Sequence, residues 1–332
     1  MDPLTQASLG AAAAALASRN HSVRRALIVG AVAGAAPDLD VLIGSGTDPL
    51  LSLQYHRHFT HALLFVPVVA VLVAGLFKLI AFKRDWPFKQ LLLFASLGAL
   101  SHGLLDACTS YGTLLYLPFS NHRESWDIIS IIDPLFTAPL VLLLVIAFLL
   151  KRPRPAHLAL MLCSLYLTFG YIQRERAQHY AIHLAESRGL RAESVTARPS
   201  FANTILWRIV VLAEGSYYVD AVWLMPFREP KLYSGDTVAQ SDISKYATPG
   251  TVLANDIERF DHFSQSYLYE VPGMDSVLGD LRYAIFPNSI EPLWGIRFDP
   301  DQPDQHVEMA YFREASKPAF SRLWAMIRGR TL

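Results

Sequence analysis

The seven residues Tyr55-His56-Arg57-His58-Phe59-Thr60-His61 put three imidazoles and a guanidinium directly before an apolar run that extends from Ala62 to Phe82. Pro37-Asp38-Leu39-Asp40 closes an earlier apolar segment, and Ser101-His102-Gly103-Leu104-Leu105-Asp106 closes a later one. Ionisable groups at the mouth of such segments are costly to keep, which makes them the first places to look for chemistry. His102 and Asp106 are four residues apart, so on a helix they stand one turn above each other on one face. A neutral imidazole and a carboxylate at that spacing can hold one divalent ion. His56 and His61, with Asp38 or Asp40, would complete a shell of nitrogen and oxygen. Such a shell suits zinc first, and manganese or iron as alternatives, because no thiolate lies nearby. The set exceeds what one tetrahedral ion needs. Either two ions bind, or some of these groups orient the imidazoles that do.

A bound divalent ion lowers the pKa of a water in its shell toward roughly 7. Arg57, joined by Arg123, would then stabilise an anionic phosphoryl or tetrahedral group. Asp127 or Asp133 would accept a proton or orient the ligands. The reaction class that follows is metal-assisted hydrolysis. Each residue also has a structural reading. Asp38 and Asp40 can simply end a helix, Asp127 can cap one before Ile128, Asp133 with Pro134 fits a helix start, and Arg57 can anchor an interface. His58 belongs to the rim, and His21 and His157 to the opposite side.

The elements that must position these groups are apolar and uneven along the chain. Hydrophobic residues make up 52% of the 332 residues and charged ones 17%, above and below the globular norm respectively. Residues 1–172 carry the long apolar runs, at about 4–18, 26–44, 62–82, 90–108, 131–150 and 156–172. About 20 helical residues cross a bilayer, and the third, fourth and fifth runs meet that length outright. Pro37 should break the second run, so that irregular backbone there lines a cavity. The stretch Leu9–Ala17 looks like the core of a signal peptide, but Asp2 precedes it and its basic residues follow it, so it reads as a retained helix.

Short loops after the first, third and fifth runs hold Arg19, Arg24 and Arg25, then Lys78, Lys83, Arg84 and Lys89, then Lys151, Arg152 and Arg154. Those after the second and fourth hold only Arg57 and Arg123. That asymmetry predicts cytoplasmic basic loops, an external N-terminus and an external C-terminal half. On this topology Asp38, Asp40, His56, His61, His102, Asp106 and Asp133 all fall at one external face, with Tyr111, Tyr116 and Trp126 in an aromatic belt.

Residues 173–332 read as an α+β soluble domain with a mainly antiparallel sheet. A polar helix continues over 173–186. Thr204–Leu212 and Tyr217–Leu224 form a hairpin, and strands are expected at Ser266–Val271, Leu281–Phe286, Leu293–Phe298 and Val307–Phe312. Helices are expected within Ile243–Phe263 and over Pro318–Ile327. Asp220, Glu214, His262 and Asp280 in this half carry no spacing that argues for a site. Lys and Arg total 29, as do Asp and Glu, and the basic residues lie in short loops, which gives no sign of a nucleic-acid partner. Cys108 and Cys163 sit inside apolar segments and read as buried hydrophobes.

At Met1-Asp2-Pro3-Leu4-Thr5 with Gly10, Pro37-Asp38-Leu39-Asp40, His56-Arg57, Thr60-His61, His102 to Asp106, and Trp126-Asp127 to Asp133-Pro134, the chain resembles the inner-membrane-associated metal-dependent hydrolases of bacteria and archaea, the YdjM-like family also described as LexA-binding hydrolases. The resemblance covers about the first 140 residues. It implies a membrane-embedded helical domain with a metal site in the cytoplasmic (inner) membrane. Gln6 stands where many relatives carry His. A looser likeness, through the Pro-Asp and His-x-x-x-Asp elements, is to zinc-dependent phospholipases C, which implies a lipid phosphodiester as substrate.

The expectation is therefore a polytopic α-helical membrane domain of five to six helices (1–172) followed by an extracytoplasmic α+β domain (173–332). Asp38, Asp40, His56, His61, His102 and Asp106 are its candidate metal ligands, and Arg57, Asp127 and Asp133 its candidate catalytic groups. A metal or proton transporter is the alternative, although such sites usually lie at the midplane of a repeat interface and no repeat is visible. So is a non-catalytic assembly protein with a closed structural metal.

Overall fold

The computed structural model describes residues 1–81, 85–312 and 317–331; Lys83 and Arg84 of the basic turn lie outside them. The chain forms two compact units, one of Met1–Leu42 and Tyr55–Tyr171, the other of Ile43–Gln54 and Ile172–Leu332. Segment Ile43–Gln54, kept with the helical half on sequence, groups with the second unit.

The first unit is helical. Asp2 opens α1 (Pro3–Ala15), its carboxylate accepting from the Thr5 amide at 3.0 Å, with Pro3 at a position where no amide hydrogen is needed. Then follow α2 (Val23–Ala35), α4 (Val66–Ile80), α5 (Phe88–Ala107), α6 (Pro134–Leu150) and the apolar part of α7 (Arg154–Ser187), while the short α3 (Leu51–Tyr55) falls almost wholly in the segment that groups with the second unit. Pro37 ends α2 as its chemistry requires, and Ala36–Leu42 continues as a 3-10 helix. Leu63–Ile80, Phe88–Ala107 and Arg154–Ser187 are long and apolar enough to cross a membrane, and α6 is a shorter apolar helix. Leu72 and Leu79 of α4 and Leu142 and Leu149 of α6 are exposed, as suits helices facing lipid.

Small residues let α1, α2 and α5 meet at backbone contact. A Cβ at Gly10 would lie 2.4 Å from the Gly30 carbonyl oxygen, and one at Gly98 2.5 Å from the same atom. This is the close-approach packing that glycine permits where helices cannot rely on the hydrophobic effect. Val69, Ala70, Val73 and Ala74 of α4 then close on Leu91, Phe94, Ala95 and Ala99 of α5. The unit has two chemically distinct ends. At one, Arg24 stacks on Phe148 at 4.6 Å and Arg25 on Trp86 at 4.7 Å, gathering the basic turns. At the other, the Asp2 amide donates to the Ile131 carbonyl at 3.2 Å and Thr5 Oγ1 meets Thr137 Oγ1 at 2.6 Å, beside the 3-10 helix.

The second unit holds the polar half of α7 and two antiparallel sheets. The first runs β1 (Ala192–Pro199), β2 (Leu206–Ala213), β3 (Ser216–Trp223) and β4 (Lys231–Tyr233), with β5 (Thr237–Ala239) also on β3. The second, after α8 (Val252–Ser264), is β6 (Leu268–Glu270), β7 (Val277–Asp280), β8 (Trp294–Arg297) and β9 (Glu308–Tyr311); α9 (Lys317–Ile327) closes the chain. Alternation along β2 sends Trp207, Ile209, Val211 and Ala213 against Ala177, Ala181 and Ala185 of α7. Its opposite face carries Arg208, buried and donating to the carbonyls of Leu281, Pro287 and Ser289 at 2.7–3.0 Å. Asp220 is held by Arg188 at 2.6 Å and Asp280 by Arg282 at 2.8 Å.

The expected strand at Leu281–Phe286 is replaced by β7, just before it. Val277–Gly279 pair with β8, and the Asp280–Arg282 contact turns the chain out of the sheet. β4 and β5, three residues each, are too short to show an alternation.

Gly98→Ala is expected to lower the melting temperature of the detergent-purified protein, with overpacking costing about 1–3 kcal/mol. Gly75→Ala, where a Cβ meets nothing within 4 Å, should not destabilise it. Equal melting temperatures for the two variants would contradict the close packing.

Candidate metal centre

Three local structures at the polar end of the first unit supply the candidate ligands. The 3-10 helix presents Asp38 and Asp40, a second 3-10 turn (Phe59–His61) presents His61, and the last two turns of α5 present His102 and Asp106. The turn lies directly on α5, since a Cβ at Gly103 would be 2.4 Å from the His61 carbonyl oxygen. Glycine there sets the His61 to His102 spacing, with ring centroids 4.5 Å apart.

Four side chains converge. His61 Nε2 is 3.2 Å from Asp106 Oδ2 and 3.4 Å from Asp38 Oδ1; His102 Nε2 is 3.4 Å from Asp106 Oδ2 and 3.5 Å from Asp38 Oδ1. Both Nε2 atoms, Asp106 Oδ2 and Asp38 Oδ2 are buried without a hydrogen-bond partner. Buried polar atoms are rarely left so. Ligands about 2.0–2.1 Å from a tetrahedral zinc ion are about 3.3–3.4 Å from one another, and the four imidazole-to-carboxylate separations match that spacing.

The far side of each ligand is held. His102 Nδ1 donates to the Gly34 carbonyl at 2.6 Å, a bond available only because α2 approaches α5 so closely. His61 Nδ1 meets Thr60 Oγ1 at 3.0 Å and Asp40 Oδ2 at 3.3 Å. Asp40 Oδ2 also accepts from the Arg57 amide at 2.8 Å and from Thr60 Oγ1 at 3.2 Å. Asp106 Oδ1 accepts from Gln6 Nε2 at 2.9 Å, touches Arg57 Nη2 at 3.3 Å and contacts the Met1 amino nitrogen. Such outer partners fix which imidazole nitrogen faces an ion.

Arg57 is buried, with a left-handed backbone at φ 60°. Its guanidinium donates to Thr109 Oγ1 at 2.8 Å and stacks on Tyr111 at 4.7 Å. The loop after α5 pins its backbone, Leu114 N donating to Arg57 O at 3.1 Å. Tyr111, expected in an interfacial belt, is taken up by this stack and by an edge contact with His56 at 5.5 Å. His56 is the most open member of the group, its side chain 27% exposed and its Nδ1 3.0 Å from Asp40 Oδ1. Arg123 reaches the carbonyls of His56 and Gly112.

Asp127 and Asp133 lie outside the ligand groupings. Asp127 is buried with a left-handed backbone and caps no helix, because Ile128 to Ile132 are not helical. Asp133 caps α6, accepting from the amides of Leu135 and Phe136 at 3.0 and 3.3 Å and from the Tyr166 hydroxyl at 2.7 Å. In the second unit Asp48, Asp256 and His306 form a further grouping, but Arg259 bridges both carboxylates at 2.9 Å. Sequence reasoning passed over Thr109 and the Gly34 carbonyl. Thr109 carries a signal, lying three residues past Asp106; a backbone carbonyl carries none.

Asp133→Ala is expected to cost about 1–2 kcal/mol of stability, as loss of a helix cap does, and to leave the divalent-ion content of the purified protein as in the parent. Loss of bound ions in that variant would put Asp133 in the site.

Comparisons with curated proteins and with solved structures find no match. Residues 1–177, which carry every group of the centre and more than half of the chain, match the YdjM inner membrane proteins. A helical region with spans of crossing length, a buried cluster at one end and this match together assign the chain to the YdjM inner membrane protein family, and its location to the inner membrane.

Proposed function

We propose that the protein is a membrane-embedded, metal-dependent hydrolase. Its polytopic helical half holds a divalent ion, zinc by preference with manganese or iron as alternatives, and acts at the external membrane face on a lipid-linked or phosphoester substrate of the envelope. One observation carries this reading: two imidazole nitrogens and two carboxylate oxygens from three separate elements converge, each nitrogen 3.2–3.5 Å from both oxygens, with His61 Nε2, His102 Nε2 and Asp106 Oδ2 buried and lacking hydrogen-bond partners.

Orientation follows from the two ends of the first unit. The turns around Arg24, Arg25 and Lys151 belong on the cytoplasmic side, which sets the ligand cluster at the outer headgroup level and the C-terminal domain outside. Asp38, His61, His102 and Asp106 hold the ion, and Asp40 and the Gly34 carbonyl orient the two imidazoles. Arg57 sets its positive charge against Asp106 and beside the centre, where an anionic phosphoryl oxygen gains from it. A bound ion supplies Lewis acidity at the scissile ester and lowers the pKa of a water. Asp127 and Asp133 take no part in this reading, being outside the cluster.

The test is elemental analysis of the detergent-purified protein beside its His61→Ala and Asp106→Ala variants. The parent is expected to hold divalent ion that both variants lose. Phosphodiester lipid in mixed micelles should be hydrolysed by the parent only, and chelator should stop it. Full ion retention in both variants, or no ion in the parent after zinc and manganese are offered, would overturn the assignment.

A further inference from the structure

The inner position just described has a coordination problem. Four protein ligands would fill a tetrahedral shell, and an ion so held has no vacancy for substrate, which is the character of a structural site. The side chains of His61, His102 and Asp106 are fully buried, so nothing reaches the ion from their side. A hydrolytic role requires either that this ion expand its shell to admit a fifth ligand or that an open position lie beside it.

The geometry points to a second divalent-ion site, formed by Asp38, Asp40 and His56, with Asp38 bridging the two ions and the outer ion meeting the substrate's phosphoryl oxygen. This rests on the hydrolase reading and deepens it. Three observations carry it. First, Asp38 divides its carboxylate: Oδ1 faces His61 and His102, while Oδ2 is buried without a hydrogen-bond partner. Second, Asp40 divides its own: Oδ2 is fixed by the Arg57 amide and Thr60, leaving Oδ1 toward His56 Nδ1 at 3.0 Å. Third, the ligand atoms of Asp38, Asp40 and His56 lie within 4.8 Å of one another. Ligands of one tetrahedral ion with bonds of about 2.1 Å lie about 3.4 Å apart, so side-chain rotations that close these separations would seat an ion among them.

The two positions differ in kind. The inner has four protein ligands and is sealed; the outer has three, and its His56 is 27% exposed. Three protein ligands with one vacancy is the character of a catalytic site. Arg57 stacks on the same Tyr111 ring that meets His56 edge-on, which places positive charge beside the vacancy. The matching ligand is a phosphoester, whose anionic oxygens two adjacent cations can clamp. The inner ion fixes Asp38, and Asp38 fixes the outer one.

The experiment uses the full chain in detergent, stripped with chelator, reloaded with manganese and desalted. Ions are counted by elemental analysis and their coupling read by electron paramagnetic resonance. The parent is expected to hold two ions with an exchange-coupled signal. His56→Ala and His56→Gln, which change a partly exposed side chain and so should fold, are expected to hold one ion with an uncoupled signal. One ion in the parent, unchanged in both His56 variants, would remove the outer site and leave the hydrolase reading standing. Two ions retained in both variants would likewise overturn the assignment of His56. No ion in the parent would remove both proposals together.

Discussion

Everything at the polar end of the helical unit depends on how closely α1, α2 and α5 can approach. Glycines at 10, 30, 34 and 98 leave no room for a Cβ between these backbones. With ordinary side chains the axes would separate to the usual 8–10 Å. Gly34 would then withdraw its carbonyl from His102, and Gln6 its amide from Asp106. The apolar packing of the bundle and the polar order of the centre thus share one geometric cause. Cutting the contact anywhere along the three helices acts on both.

The centre concentrates carboxylates where water is scarce. Asp106 is wholly buried, and its Oδ1 is compensated by an amide, a guanidinium and an amino nitrogen, while Oδ2 is left to face the imidazoles. Asp40 shows the same division between a fixed oxygen and one turned toward His56. Two-faced carboxylates of this kind give a rigid frame and an acceptor edge from a single side chain. The fixed edges are held by hydrogen bonds to backbone and to neighbours in the bundle.

Much of this was legible from residue types at segment ends. His102 and Asp106 could be paired from their spacing alone, and the break at Pro37 followed from proline's missing amide hydrogen. The loop-charge asymmetry put Asp38, His61 and Asp106 at one end, and the three do meet there. What stayed hidden was non-local. Gln6 read as the absence of a histidine, yet its amide serves Asp106 across 100 residues. Tyr111 read as an interfacial aromatic because no sequence spacing reveals a guanidinium stacked on it. In the second unit the hairpin of β2 and β3 was plain from alternation. The strand misplaced at Leu281–Phe286 failed because the Asp280–Arg282 pair, two residues apart, turns the chain before the apolar run begins.

Arg57 serves the centre through two separate parts of itself. Its amide hydrogen holds Asp40, and a main-chain donor is present whatever side chain the residue bears. Its guanidinium holds Asp106 and Thr109. The left-handed backbone at φ 60° is what lets one residue face both ways. The two roles are therefore separable by substitution: the amide that holds Asp40 survives any replacement but proline, whereas the hold on Asp106 and Thr109 goes with the side chain.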